Sequence, residues 1–335
     1  MISWHSSLIS VSSPQLVAGP IERATHLLPQ FLRPRNFDCD LALDGIRQML
    51  WGFFKKVVVA DNCALFVNGV FENYQTLDGS TLFLGAFFFT IQIYGDFSGY
   101  SDIAIGCARL FGIDLMQNFK YPYFSRDIAE FWRRWHISLT TWFRDYIYIP
   151  LGGSRAGKWK SFRNTLVIFL VSGFWHGANW TFVAWGAYHA LLFLPLLLLG
   201  QNRRYRDSVA ENSFLPSVKE LTQMGATFLL VLLGWILFRS EDISQAAVYL
   251  ERMFNVSLFS APQLVGLGFG QLLLKKCFFF TALMFVVEWI GRKQAHGLMI
   301  EDLSLPVRYV IYTVLLIIIY GFDASNPQGF IYFQF

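Results

Sequence analysis

Asn164 to Gly200, NTLVIFLVSGFWHGANWTFVAWGAYHALLFLPLLLLG, runs for 37 residues without an Asp, Glu, Lys or Arg, and only His176 and His189 in it titrate near neutral pH. One membrane span needs only about 20 apolar residues. Gly173, Gly177 and Asn179 interrupt the run near its middle, so the pattern predicts two helices, over 164–176 and 179–200, meeting at a broken point that carries His176. A helix over 164–176 rises about 20 Å, short of the ~30 Å hydrocarbon core, which places the imidazole at membrane depth. Broken helices at that depth are tolerated only where protein or a water-filled cavity satisfies the freed backbone. An ionisable ring there is a candidate active-site group. The alternative is a histidine hydrogen-bonded between packed helices.

Composition points the same way. The chain is 54% hydrophobic, 18% aromatic and only 15% charged, whereas about a quarter of the residues of a soluble domain are charged. The expected class is all-α, a polytopic transmembrane helical protein. Further spans are expected at 79–94, 97–112, 222–238, 276–290 and 306–322, seven segments in all with the broken pair. Several are short, which suggests tilted or half-length pieces. No cleavable signal peptide is expected at the start of this sequence. Residues 109–163 carry ten Lys and Arg against four acids, which puts that loop in the cytoplasm. Arg203, Arg204, Arg206 and Lys219 put 201–221 on the same side, as a pair of helices that enters and returns requires. The net charge of +4 reflects these loops, and nucleic acid is not an expected partner. The four cysteines are scattered without a metal-ligand spacing, and no metal is expected.

Two other clusters are candidates. Within 119–163, apolar residues at 128, 131, 132, 135, 139, 142, 143 and 146 follow helical spacing, predicting an amphipathic cytoplasmic segment at the lipid surface. An interfacial anchor is one reading of it. The other takes His136, four residues after Trp132 and so on the apolar side, as pointing inward to a site. The second cluster, Tyr94 to Asp102, joins two predicted spans. Asp96 is placed to cap a helix, while Ser98 and Asp102 share a helix face. Capping accounts for Asp96 alone, so a polar cavity lining is the other reading.

Several long stretches resemble the membrane-bound O-acyltransferase superfamily, and within it the alginate-acetylating branch. They are Pro14 to Ile21, Trp51 to Val58, Asp96 to Ile105, Asn118 to Gly153, Arg163-Asn164, Trp175 to Trp180 and the tail Phe330 to Phe333. The resemblance spreads over nearly the whole chain, residues 1–335, as a single membrane domain. It implies a ring of tilted and short helices around a central tunnel, and acyl transfer from an activated donor, acetyl-CoA or another acyl donor as co-substrate, to hydroxyls of an exported polysaccharide. It implies a multi-pass protein of the cell (inner or plasma) membrane, surrounded by lipid, with extracytoplasmic acetyltransferases as candidate partners. His176 matches the family's catalytic histidine and His136 a second histidine of the polymer-modifying branch. Asp96, Ser98, Asp102, Asn179 and Trp175 are the substrate-binding candidates, Asn179 or a backbone amide stabilising an oxyanion. Family members ordinarily carry several membrane segments ahead of the Pro14 motif, so the sequence reads as shortened. The competing readings are an acyl-group transport component feeding a separate transferase, D-alanyl transfer to teichoic acid, and an inactive remnant.

Overall fold

The computed structural model describes residues 19–155, 157–264 and 270–322, with residues 329 and 331. The motif residues Pro14 to Ala18, and Phe330, Tyr332 and Phe333 of the tail, lie outside them. All regular structure among the described residues is helical. In chain order the helices are α1 (Ala24–Leu32), α2 (Cys39–Phe53), α3 (Asp61–Glu72), α4 (Gly79–Leu110), α5 (Ile128–Arg134), α6 (Ile137–Phe143), α7 (Lys158–His176), α8 (Trp180–Leu198), α9 (Val218–Arg239), α10 (Ile243–Met253), α11 (Gln271–Ile290) and α12 (Leu305–Gly321). A π-helical stretch, Phe54–Ala60, joins α2 to α3 without a break, and another, Arg144–Tyr148, follows α6.

Side-chain caps fix several starts. Asp78 accepts from the Thr81 N–H (3.0 Å), Asp127 from that of Glu130 (2.7 Å) and Asn179 from that of Thr181 (3.1 Å), each satisfying a donor that has no partner inside the helix. Ser217 and Glu220 form a reciprocal capping box at the start of α9.

The broken pair is present as α7 and α8. The first helix begins six residues earlier than the apolar run, and its added turns carry Lys158, Lys160 and Arg163. Gly173 and Gly186 let the two helices cross closely, because a Cβ on Gly186 would run into the carbonyl of Phe169 and one on Gly173 into that of Phe182. Helices α8 and α9 are each long and apolar enough to cross a membrane, and α12 is a shorter apolar helix.

The segments expected at 79–94 and 97–112 are one continuous helix, α4, of 32 residues. Asp96 therefore sits mid-helix and caps nothing. The polar cluster does not end the helix because its charges are matched by a neighbour that hydropathy did not reveal. The continuous rod from α2 to α3 lies antiparallel to α4, with Gly52 facing Gly99 and Gly45 facing Gly106. A Cβ on Gly52 would stand 2.6 Å from the Gly99 carbonyl oxygen, and one on Gly99 2.7 Å from that of Gly52. Such small residues let helical backbones approach closely. Lys55 then meets Asp102 at 2.6 Å and Lys56 meets Asp96 at 2.8 Å. Around this pair, Trp51, Phe54, Phe88, Phe89, Phe131, Trp185 and Trp235 are buried in one aromatic core.

Candidate functional site

The segment expected to be one amphipathic surface helix is two short helices, α5 and α6, bent about His136. Much of its apolar face is buried, at Ile128, Phe131, Trp135, Leu139 and Phe143, while Tyr146 at its far end is exposed. Glu130 is buried too, and it is held by Arg126 at 3.0 Å and Arg134 at 2.7 Å. Those ion pairs let a segment rich in charge enter the core, since a buried carboxylate must be paired. His136 itself adopts the left-handed conformation (φ 44°, ψ 54°), a strained state for a residue with a Cβ that costs on the order of 1–3 kcal/mol and is commonly kept where function needs it.

The bend aims the His136 ring at the α7–α8 junction. One cavity of about 60 Å³ is lined by His136 and His176 together, with Thr140 and Ser172 as its other polar side chains and Trp132, Trp185, Trp235 and Phe238 among its walls. A water needs roughly 10–15 Å³ of such volume, so a few small groups fit. The His176 ring contacts Trp185 (5.3 Å between centroids) and Phe238 (5.0 Å) nearly edge-on. Trp175, half exposed, lies against both histidines, 5.0 Å from His176 and 6.4 Å from His136. Phe97 of α4 stands perpendicular to the His136 ring at 4.6 Å.

Asn118 is the residue that the sequence did not single out. Its Oδ1 accepts from the Ser138 hydroxyl (2.7 Å) and lies 3.0 Å from His136 Nδ1, while its Nδ2 donates to Ser101 Oγ (3.2 Å). With the amide in this orientation its oxygen is the acceptor, the proton lies on His136 Nδ1, and Nε2 keeps its lone pair. Asn118 stood inside the motif-bearing stretch, but no helical or strand period relates a residue to one 18 positions away across a turn.

The structure brings His136, His176 and Trp175 together and places the other candidates elsewhere. Asp96, besides its pair with Lys56, accepts from the Ile331 N–H at 2.7 Å. Asp102 holds Lys55 and the Gln48 amide (2.8 Å). Ser98 is buried, and its hydroxyl has no hydrogen-bond partner among the described residues. None of the three lines the histidine cavity. From α4 it is Phe97 and Ser101 that reach His136 and Asn118. Asn179 caps α8 and donates to the Glu241 carbonyl at 2.6 Å, tying the junction to the turn between α9 and α10. His189 is fully buried one layer behind the cavity, edge-on to Trp132 (4.9 Å) and Trp185 (5.1 Å).

Comparison with known proteins gives a consistent picture. A model of the MBOAT, membrane-bound O-acyltransferase family matches residues 10–210, which include both histidines. The "Probable alginate O-acetylase AlgI" of Pseudomonas aeruginosa is 40% identical over 266 residues, covering 78% of this chain and 49% of the relative. The peptidoglycan O-acetyltransferase of Helicobacter pylori is 38% identical over 251 residues, 73% of this chain and 45% of that protein. The teichoic acid D-alanyltransferase of Bacillus subtilis is 28% identical over 242 residues, 68% of this chain and 59% of the relative. The chain thus spans about half the length of the alginate O-acetylase that it matches.

Proposed function

Since this chain belongs to the membrane-bound O-acyltransferase family, we propose that it is a multi-pass protein of the cell (inner or plasma) membrane that transfers acetyl from an activated donor to hydroxyls of an exported, alginate-like polysaccharide. The ring of tilted and short helices around a central tunnel belongs to the same reading. The observation that carries it is the single cavity shared by His136 and His176. Acetyl rather than D-alanyl is favoured by the higher identity to the O-acetylating relatives.

A hydroxyl is too weak an acid to attack a thioester well unless a base within hydrogen-bond reach removes its proton. His176 acts as that base. The hydroxyl oxygen bonds to the acyl carbon as its proton passes to the imidazole, the carbon–sulfur bond breaks, and the departing thiolate takes the proton back from the imidazolium. His136, with Nδ1–H held by Asn118, offers Nε2 to position one of the two substrates. The oxyanion needs donors fixed in advance. Asn179 spends its amide on Glu241, whereas the indole N–H groups of Trp132 and Trp185, on the cavity wall, have no hydrogen-bond partner among the described residues. These two indoles fill that role.

His176→Ala tests the reading: polymer acetylation should vanish while the amount of protein in the membrane is unchanged. Retained acetylation overturns the assignment of the base. Acetyl transfer from acetyl-CoA by the purified chain, with no other protein present, separates an enzyme from an acyl-transport component.

A further inference from the structure

Away from the histidine cavity, α12 stands beside the rod formed by α2 and α3. The two run parallel and are tied at two heights. Arg47 is ion-paired with Glu301, just ahead of α12, and Asn62 in the first turn of α3 donates to the carbonyl of Phe322, just past the end of α12, at 3.0 Å. Between these ties α12 packs loosely, since Leu315 alone among its seventeen residues is buried. A groove of about 630 Å³ is left there, lined by Asp40, Arg47 and Leu50 from α2 and by Arg308, Tyr312 and Leu316 from α12, with Glu301 at its mouth.

Polarity changes in steps along this groove. Asp40 is outermost, Arg308 lies within the first turn of α12, Tyr312 is about 6 Å deeper along the helix axis, and Leu50 and Leu316 line the inner end. Several of these groups are uncommitted. Arg308 Nε and the Tyr312 hydroxyl are buried and have no hydrogen-bond partner among the described residues, and Asp40 and Arg308 make no ion pair there. Buried donors left unpaired are costly, and a guanidinium suits phosphate. With Arg47 and Glu301 neutralising each other, what the groove offers is one carboxylate and one cation, the complement of a zwitterion. Its depth fits too: Arg292 and Lys293, ahead of α12, put the first turns of that helix at the cytoplasmic headgroup level, where the exposed Tyr309 also belongs.

We propose that this groove holds a glycerophospholipid with a primary ammonium in its head, of the phosphatidylethanolamine kind. The phosphate meets Arg308, the ammonium meets Asp40, the Tyr312 hydroxyl donates to an ester carbonyl of the glycerol, and the acyl chains run inward past Leu50 and Leu316. The order of groups along the groove is the order of groups along such a lipid. A lipid whose head is only anionic would leave Asp40 without a cation and set a second negative charge beside it. The inference needs only that α12 lies in a membrane, and it is independent of the chemistry at His176.

The test is native mass spectrometry of the full chain, stripped of lipid in detergent and titrated with phosphatidylethanolamine and with phosphatidylglycerol of the same acyl chains. Phosphatidylethanolamine should bind the tighter of the two. Arg308→Gln should weaken both by about tenfold or more, as expected for the loss of a hydrogen bond to a charged group. Tyr312→Phe, which keeps the ring, should weaken both by a smaller factor. Asp40→Asn should weaken phosphatidylethanolamine and leave phosphatidylglycerol no weaker than before. Thermal unfolding in detergent checks the fold of each variant, and none of the three side chains removed has a hydrogen bond or ion pair to lose among the described residues. Phosphatidylglycerol bound as tightly as phosphatidylethanolamine overturns the proposal, as does phosphatidylethanolamine binding indifferent to both Arg308→Gln and Tyr312→Phe. A lipid-free dimer that Arg308→Gln dissociates also overturns it, and would make the groove an interface between two copies of the chain.

Discussion

His136 Nδ1 lies 3.0 Å from Asn118 Oδ1, and this contact holds one nitrogen of the imidazole and leaves the other free of it. The same oxygen receives the Ser138 hydroxyl, so one amide pins both the ring and the first turn of α6. The relation is that of a positioning residue to the group it orients, and holding the wrong tautomer is costly wherever a histidine must present a lone pair.

Asn118→Ala should therefore lower the acetyl-transfer rate by roughly 10- to 100-fold, the scale of loss known for partners that orient metal-ligating histidines. Asn118→Asp, which keeps the acceptor, should recover part of the loss. Rates at saturating acceptor would show it; an unchanged rate in Asn118→Ala removes Asn118 from the site.

At His136 the backbone and the ring can be separated. His136→Ala and His136→Gly both delete the imidazole and should both impair transfer. Glycine occupies the left-handed region without the Cβ penalty, so His136→Gly should be the more stable of the two by about 1 kcal/mol. Thermal unfolding in detergent reads the difference, and equal midpoints would argue against strain at this residue.

The Lys55–Asp102 pair is predicted to be structural. Lys55→Met alone takes the cation from the half-buried Asp102 and from the buried Glu288, 3.9 Å from the same ammonium, and should cost about 3 kcal/mol or more. Lys55→Met with Asp102→Asn should recover part of that, since Glu288 still lacks the cation. A double variant as unstable as the single one would mean that the pair does more than neutralise itself.

Packing of the α2 rod on α4 depends on bare backbone. Gly52→Ala would set its Cβ 2.6 Å from the Gly99 carbonyl oxygen and 2.8 Å from Ile103 Cγ1, and the helices would have to part. A loss of about 1–3 kcal/mol is expected from such overpacking. Gly225→Ala in α9 meets open space and should be neutral or slightly stabilising through helix propensity. Comparing the two unfolding midpoints separates close approach from the general effect of adding a methyl group.

The helical class, the α7–α8 break and the histidine at its tip were legible because each rests on local chemistry. Thirty-seven residues without a formal charge leave little choice but helix in an apolar setting, and Gly177 with Asn179 marks where the helix must stop. The Tyr94–Asp102 cluster misled for the opposite reason. A sequence shows a carboxylate but not the cation that will neutralise it, and Lys55 and Lys56 stand some forty residues earlier on a helix that their own charges hid from a hydropathy reading. His136 was legible as a residue of interest, but its bend was not. A 3.6-residue period runs straight through Trp135 and His136, and only the burial of Phe131, Trp135 and Glu130 in a shared core forces the chain to turn there. Local pattern thus supplied the helices and the histidine at their break. The pairing of charges between helices, the choice of Asn118 and the meeting of two histidines forty residues apart were settled by packing, because each depends on which surfaces the folded chain brings within a few ångströms of one another.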